Sequence, residues 1–256
     1  MPRRGDAPAD RAADRAAVAK LFAHDFKNPI SALAANLSYL QLSLAETSGE
    51  MRESIDDSVF AVGVLMHLID NYVVVARLEA GEHVEPTPVP VAQLVEAAAR
   101  ASREVISPGQ VEIRVEGPVP DALCVVEVPY AAAVLKNLLV AGAAQAMGGG
   151  RVTLRAEAAP GSVRFSACDT GPIVDEAHRG DLLTREFQCR SKSLPGARYA
   201  RGLGLYLVGR GAEFLGGRAE VGVRDGLAEI AVILPTGDDG APVTGPDGAR
   251  TAPARR

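Results

Sequence analysis

His24 and Asp25 stand side by side, and Asn28 lies four residues beyond His24, on the same face of any helix that holds them. A neutral imidazole, with an ordinary pKa near ~6.5, is a competent nucleophile around neutral pH. A neighbouring carboxylate can accept its other ring proton, fix the tautomer and stabilise the cation that forms on attack. That combination suits attack on a phosphorus centre. Pro29 removes the N–H that would bond the Asp25 carbonyl, which loosens a helix beside the histidine. An isolated exposed histidine needs no role; this one has an acidic neighbour and an amide one turn away.

The elements that must position these residues follow from periodicity. From about Ala12 to Ala45 the pattern is helical. Val18, Phe22, Phe26, Ile30, Leu33, Leu37, Leu40 and Leu44 fall within about 60° of one line on a helical wheel. His24 lies about 180° from that stripe, toward solvent. Glu46 to Gly49 reads as a turn. A second helix runs from about Glu50 to Leu78, with Ile55, Val59, Val62, Met66, Ile69, Val73 and Ala76 forming a heptad-like seam and Gly81 as its cap. Two long helices joined by a short turn make an antiparallel hairpin. A hairpin with one stripe per helix cannot bury both alone, so a second copy is expected to complete a four-helix bundle, a homodimer.

After a proline-rich linker or edge strand at His83–Pro90, the pattern becomes mixed α and β. Helices are expected over Val91–Ser102, Ala131–Met147 and Leu203–Leu215. Strands are expected at Val111–Val115, Cys124–Val128, Arg151–Glu157, Ser162–Cys168, Arg218–Val223 and Leu227–Leu234. Residues 175–201 are polar and irregular. The ends, 1–9 and 236–256, read as disordered tails around a hairpin over 10–82 and a second domain over 90–235.

Composition narrows the function classes. The chain is 47% apolar and 23% charged, with net charge −5. This is a globular balance with no basic surplus for nucleic acid or an anionic membrane. Cys124, Cys168 and Cys189 form no Cys-x-x-Cys pair, which argues against a zinc site and suits a reducing cytosol. No apolar leader is visible, and no uninterrupted apolar run approaches the ~20 residues of a membrane span. A cytoplasmic protein is expected.

His24-Asp25-Phe26-Lys27-Asn28-Pro29 resembles the H-box of bacterial two-component histidine kinases, His-(Glu/Asp)-x-(Arg/Lys)-(Thr/Asn)-Pro. Arg77-Leu78-Glu79-Ala80-Gly81 resembles the end of the second helix in that family's dimerisation domain. The resemblance implies that His24 is the phosphoacceptor, Asp25 the general base, and Asn28 the residue that positions water for dephosphorylating a response regulator. Lys27 is part of the box or a solvated helix charge.

Residues 90–235 resemble the ATP-binding α/β sandwich of the same family, of the kinase/gyrase type. Asp169-Thr170-Gly171-Pro172 resembles the first glycine box, whose Asp accepts from the adenine amino group while Gly171 lets the backbone approach the base. Gly202-Leu203-Gly204-Leu205, opening a helix, resembles the second, where backbone N–H groups attract phosphate. Two departures stand out. In the family's Asn-Leu-Leu-x-Asn-Ala box the Mg2+-binding Asn is here Ala141, with Asn137 one turn away as a substitute ligand or a helix-capping residue. The first glycine box also lacks its second glycine. The basic residues Arg179, Arg185, Arg190, Lys192, Arg198 and Arg201 fall where the family has its nucleotide lid, as phosphate screens or as a solvated loop.

The resemblance therefore implies a dimeric helical hairpin followed by an α/β sandwich, with ATP and Mg2+ as cofactors and a response regulator receiver domain as partner. It implies autophosphorylation of His24 by ATP and transfer to a regulator aspartate. Ala141 and the shortened box favour the other implied activity, a phosphotransferase or phosphatase whose ATP-like domain is not catalytic.

Overall fold

The computed structural model describes residues 8–43, 49–106, 111–146, 149–187 and 203–236, with several side chains of the first helix left aside. Helix α1 spans Pro8–Ser43 and α2 spans Glu50–Glu79, antiparallel, with Gly49 at a positive φ before α2. Pro8 and Ala9, expected in a disordered tail, are helical, because proline is tolerated in the first helical turn.

The seam within the hairpin differs from the predicted stripe. Ala16, Ala19 and Ala23 are buried, and Ala16 and Ala19 pack against Ala76 of α2 and Ala80 just beyond its end. Small residues let the two helices approach closely there. Phe26, Leu33 and Leu40, seven residues apart, stay 55%, 47% and 42% exposed. One chain thus uses the alanine face and leaves the larger side chains of the stripe facing outward.

Strand β1 (Thr87–Pro90) pairs antiparallel with β3 (Leu123–Val126), which settles the proline-rich segment as an edge strand. Helix α3 spans Val91–Arg103, β2 Val111–Val115, α4 Val128–Gln145, β4 Gly150–Ala159 and β5 Ser162–Asp169. A one-turn helix α5 (Glu176–Arg179) lies in the segment read as irregular. Helix α6 (Gly204–Phe214), β6 (Arg218–Arg224) and β7 (Leu227–Pro235) complete the domain. The main sheet has the order β2-β4-β5-β7-β6, with β2 parallel to β4 and the other neighbours antiparallel.

One face of this sheet buries Val152, Leu154, Phe165, Ile230, Val232 and Leu234 against α3, α4 and α6. The other face is charged: Arg155, Arg164 and Arg224 pair with Glu116, Asp225, Glu220, Glu229 and Glu157. The alternation of apolar and charged residues along β4 and β5 is what a sheet with one buried face requires.

The lower half of α2 belongs to both units. Leu78 and Val75 join the α/β core, and His67 and Asn71 are buried with them. By length and composition alone, Met51–Glu79 is also apolar enough to cross a membrane, with a mean hydropathy of 1.9 in its richest window, of which 22% is buried. Core helices of proteins outside membranes pass the same test of length and composition.

Candidate functional site

His24 sits on α1 with its side chain exposed, as does Asn28 one turn on. The side chain of Asp25 lies outside the described residues. Lys27, between them, forms a half-exposed ion pair with Asp70 of α2 and so is tied to the partner helix. Two helices in register bring this about: a turn of α1 that carries chemistry-bearing residues faces the stretch of α2 around Asp70.

Asp169 ends β5, opposite Val152 of β4, and is 1% exposed. Its Oδ1 accepts the Gly171 N–H at 2.8 Å, a two-residue turn that aspartate favours. Its Oδ2 is buried with no partner. Desolvation pushes the carboxyl up to about 6, opposed only by the Gly171 bond. A buried acceptor oxygen without a protein donor can be satisfied by a water or by a ligand that brings one. An exocyclic amino group such as that of adenine is such a donor. A Cβ at Gly171 would collide with the Gln145 carbonyl at the end of α4, so the glycine serves close packing of this turn.

Asn137 is where the structure departs most from expectation. It is 1% exposed on α4, with both Nδ2 hydrogens engaged and Oδ1 accepting one bond. Nδ2 donates to Asn71 Oδ1 and to the Ala133 carbonyl, each at 2.8 Å, and Oδ1 accepts from Asn71 Nδ2 at 2.8 Å. Asn71 Nδ2 also lies 3.3 Å from His67 Nε2. The oxygen expected to face a cation thus faces another amide. Ala141 supplies no oxygen, and among the described residues no three His, Cys, Asp or Glu gather as a metal site. Asp169 Oδ2 can accept from an adenine amino group, whereas the described residues gather no oxygen ligands for Mg2+.

At the start of α6, Leu203 caps the helix and accepts the Leu207 N–H at 2.7 Å, while Leu203 and Leu205 pack partly buried on the core. Gly204 is buried against Asn137: a Cβ there would lie 2.7 Å from Asn137 Oδ1. Gly202 falls outside the described residues, as do Arg190, Lys192, Arg198 and Arg201. Of the expected lid cations, Arg179 Nε donates to the Val174 carbonyl at 3.1 Å, and Arg185 lies 3.8 Å from Glu79 of α2. Tyr206 of α6 also donates to Glu79, at 3.2 Å.

The structure therefore gathers Asn137 and Gly204 around Asn71, and packs Asp169, at the end of β5, beside Gly142 of the same helix α4. Sequence reasoning missed His67 and Asn71. The signal was present: two polar residues four apart on one face of an otherwise apolar helix need a buried partner.

No family model and no curated protein matches the chain. Solved structures do. Full-length ShkA in complex with AMPPNP gives a TM-score of 0.56 at 26% identity, over 85% of this chain and 45% of that one. The chain thus spans under half of ShkA's length. A nucleotide-free catalytic domain of histidine kinase ThkA gives a TM-score of 0.51 at 19% identity, over 60% of this chain and 99% of that one, a likeness of fold. With an H-box-like turn on its hairpin and this α/β domain behind it, the chain has the architecture of a two-component histidine kinase.

Proposed function

We propose that the chain is a cytoplasmic, homodimeric histidine kinase, with a phosphotransfer hairpin over residues 10–82 and a nucleotide domain over 90–235. His24 attacks the γ-phosphorus of ATP; a nitrogen–phosphorus bond forms, the bond to the β,γ-bridging oxygen breaks, and ADP leaves. Asp25 takes the ring proton and Asn28 later positions water. The phosphohistidine then passes its phosphoryl group to an aspartate of a receiver domain. Asp169 hooks the adenine amino group, and the Gly202–Leu205 turn faces the phosphates. The observation that carries this reading is the unpartnered, buried Oδ2 of Asp169.

A second reading starts from the commitment of Asn137 to Asn71, with Ala141 at the cation position. In it His24 receives its phosphoryl group from another phosphoprotein, and the α/β domain keeps nucleotide only as a structural ligand. Incubation with γ-labelled ATP separates the two. Acid-labile, base-stable label that is absent in His24→Ala supports the kinase. Labelling only in the presence of a phosphorylated donor protein, again lost in His24→Ala, supports the relay. No label on His24 from either source removes both.

A further inference from the structure

The amide pair between α2 and α4 is a closed polar unit inside an apolar surround. Asn71 and Asn137 are 3% and 1% exposed, and each donates to the other's carbonyl oxygen. The Ala133 carbonyl, accepting from Asn137 Nδ2, fixes which way round that amide lies. His67 takes up the remaining Asn71 N–H. Around the pair, α6 approaches closely only because Gly204 and Gly211 lack side chains: a Cβ at Gly204 would meet Asn137, and one at Gly211 would run into Val134, with Leu78 of α2 beside it. A buried polar network of this kind fixes one register between packed surfaces, since any slip leaves amides unpaired. The Lys27–Asp70 ion pair places it at the height of the turn that carries His24, because Asn71 directly follows Asp70.

We propose that Asn71 and Asn137 form an interdomain clasp that registers the α/β domain against the hairpin beside the His24 turn, and that Asn137 is a docking residue, not a cation ligand. Two consequences follow. The clasp sets the position of the domain whether or not nucleotide is present. Nucleotide binding, which rests on the reading of Asp169 given above, is indifferent to divalent cation.

The test follows hydrogen exchange of the backbone joining the two units, Gly81 to Glu85, in the full chain and in Asn71→Leu, Asn137→Leu and the double variant. Each single change is expected to speed exchange there about tenfold, and the double variant no more than either single, the non-additivity of groups that act as a pair. Asn71→Leu keeps the proposal testable should Asn137→Leu not fold, since Asn71 lies outside the nucleotide domain's own core helices. Unchanged exchange in Asn71→Leu overturns the clasp, as do effects of the two changes that simply add. Calorimetry with ADP, with and without Mg2+, tests the second part. An affinity that responds less than about twofold to Mg2+ supports it; a tenfold or greater gain, lost in Asn137→Leu but kept in Asn71→Leu, overturns it. Absence of any ADP binding would sink the reading of Asp169 while the exchange result still decides the clasp.

Discussion

Gly171 donates its backbone N–H to one carboxylate oxygen of Asp169, and the other oxygen of the same carboxylate is buried with no partner at all. Half the group is anchored and half is left for something else. A buried carboxylate oxygen without a donor is destabilising, which makes it readable by mutation.

Asp169→Asn is expected to stabilise the nucleotide-free protein while weakening ATP. At pH above 7 the wild-type group carries a buried charge, and its carboxyl is raised from 3.8 to about 6 by desolvation. The folded state then holds the proton more tightly than the unfolded state. The associated stability is fully present below about pH 4 and is lost as pH rises through about 6, amounting to about 3 kcal/mol. The asparagine has no such dependence. Thermal melts across pH 4 to 8 with Asp169→Asn should show a flatter profile. ATP affinity should fall about tenfold or more, since the new N–H2 opposes the adenine amino group.

The charged face of the sheet should behave in the opposite sense. Arg224 holds Glu157 below the usual carboxylate range through paired hydrogen bonds, and Arg164 with Arg218 does the same for Glu220. Their contribution is present above the ordinary carboxylate pKa and is lost as pH falls through the depressed values. Acid unfolding monitored with Arg224→Gln should therefore begin at higher pH than in wild type.

Arg164→Met leaves Glu229, which is 6% exposed, without its 2.8 Å partner. A loss of about 1 to 2 kcal/mol is expected in denaturant melts, because the buried carboxylate then keeps only the longer contact to Arg224, at 3.5 Å. Arg164→Met combined with Glu229→Leu should recover most of it. A double variant as weak as the single would assign the loss to packing of the arginine stem instead.

Dimerisation should depend on the outward residues of α1. Phe26→Asp with Leu33→Asp puts charge on the exposed seam that one chain cannot cover. Analytical ultracentrifugation is expected to show dimer for wild type and monomer for the variant, with far-ultraviolet circular dichroism unchanged. A variant that remains dimeric would move the interface elsewhere.

Gly204→Ala should cost about 2 kcal/mol, an overpacking effect, because its Cβ would sit 2.7 Å from Asn137 Oδ1. A fall in melting temperature of several degrees would report it. Gly222→Ala, whose Cβ would have no neighbour nearer than 3.9 Å, serves as the control.

Much of this protein was written locally. Residue types at helical and strand periods specified the hairpin, the edges of most strands and the α/β order, because each element must bury one face and the period names that face. The helical wheel placed His24 toward solvent, and its side chain is exposed. The resemblance to a glycine box singled out Asp169 just past an expected strand, and it is the last residue of β5. Partner choice was beyond local reading. Which of two adjacent faces of α1 packs on α2 depended on how closely alanines at 16, 19 and 23 let the helices approach, and the larger stripe was left outward. The fate of Asn137 depended on Asn71, sixty-six residues away, since an amide that reads as a ligand on one helix becomes a clasp once another amide is folded against it. Hydrogen-bonding capacity belongs to the residue; what satisfies it is settled only when distant segments are brought into contact.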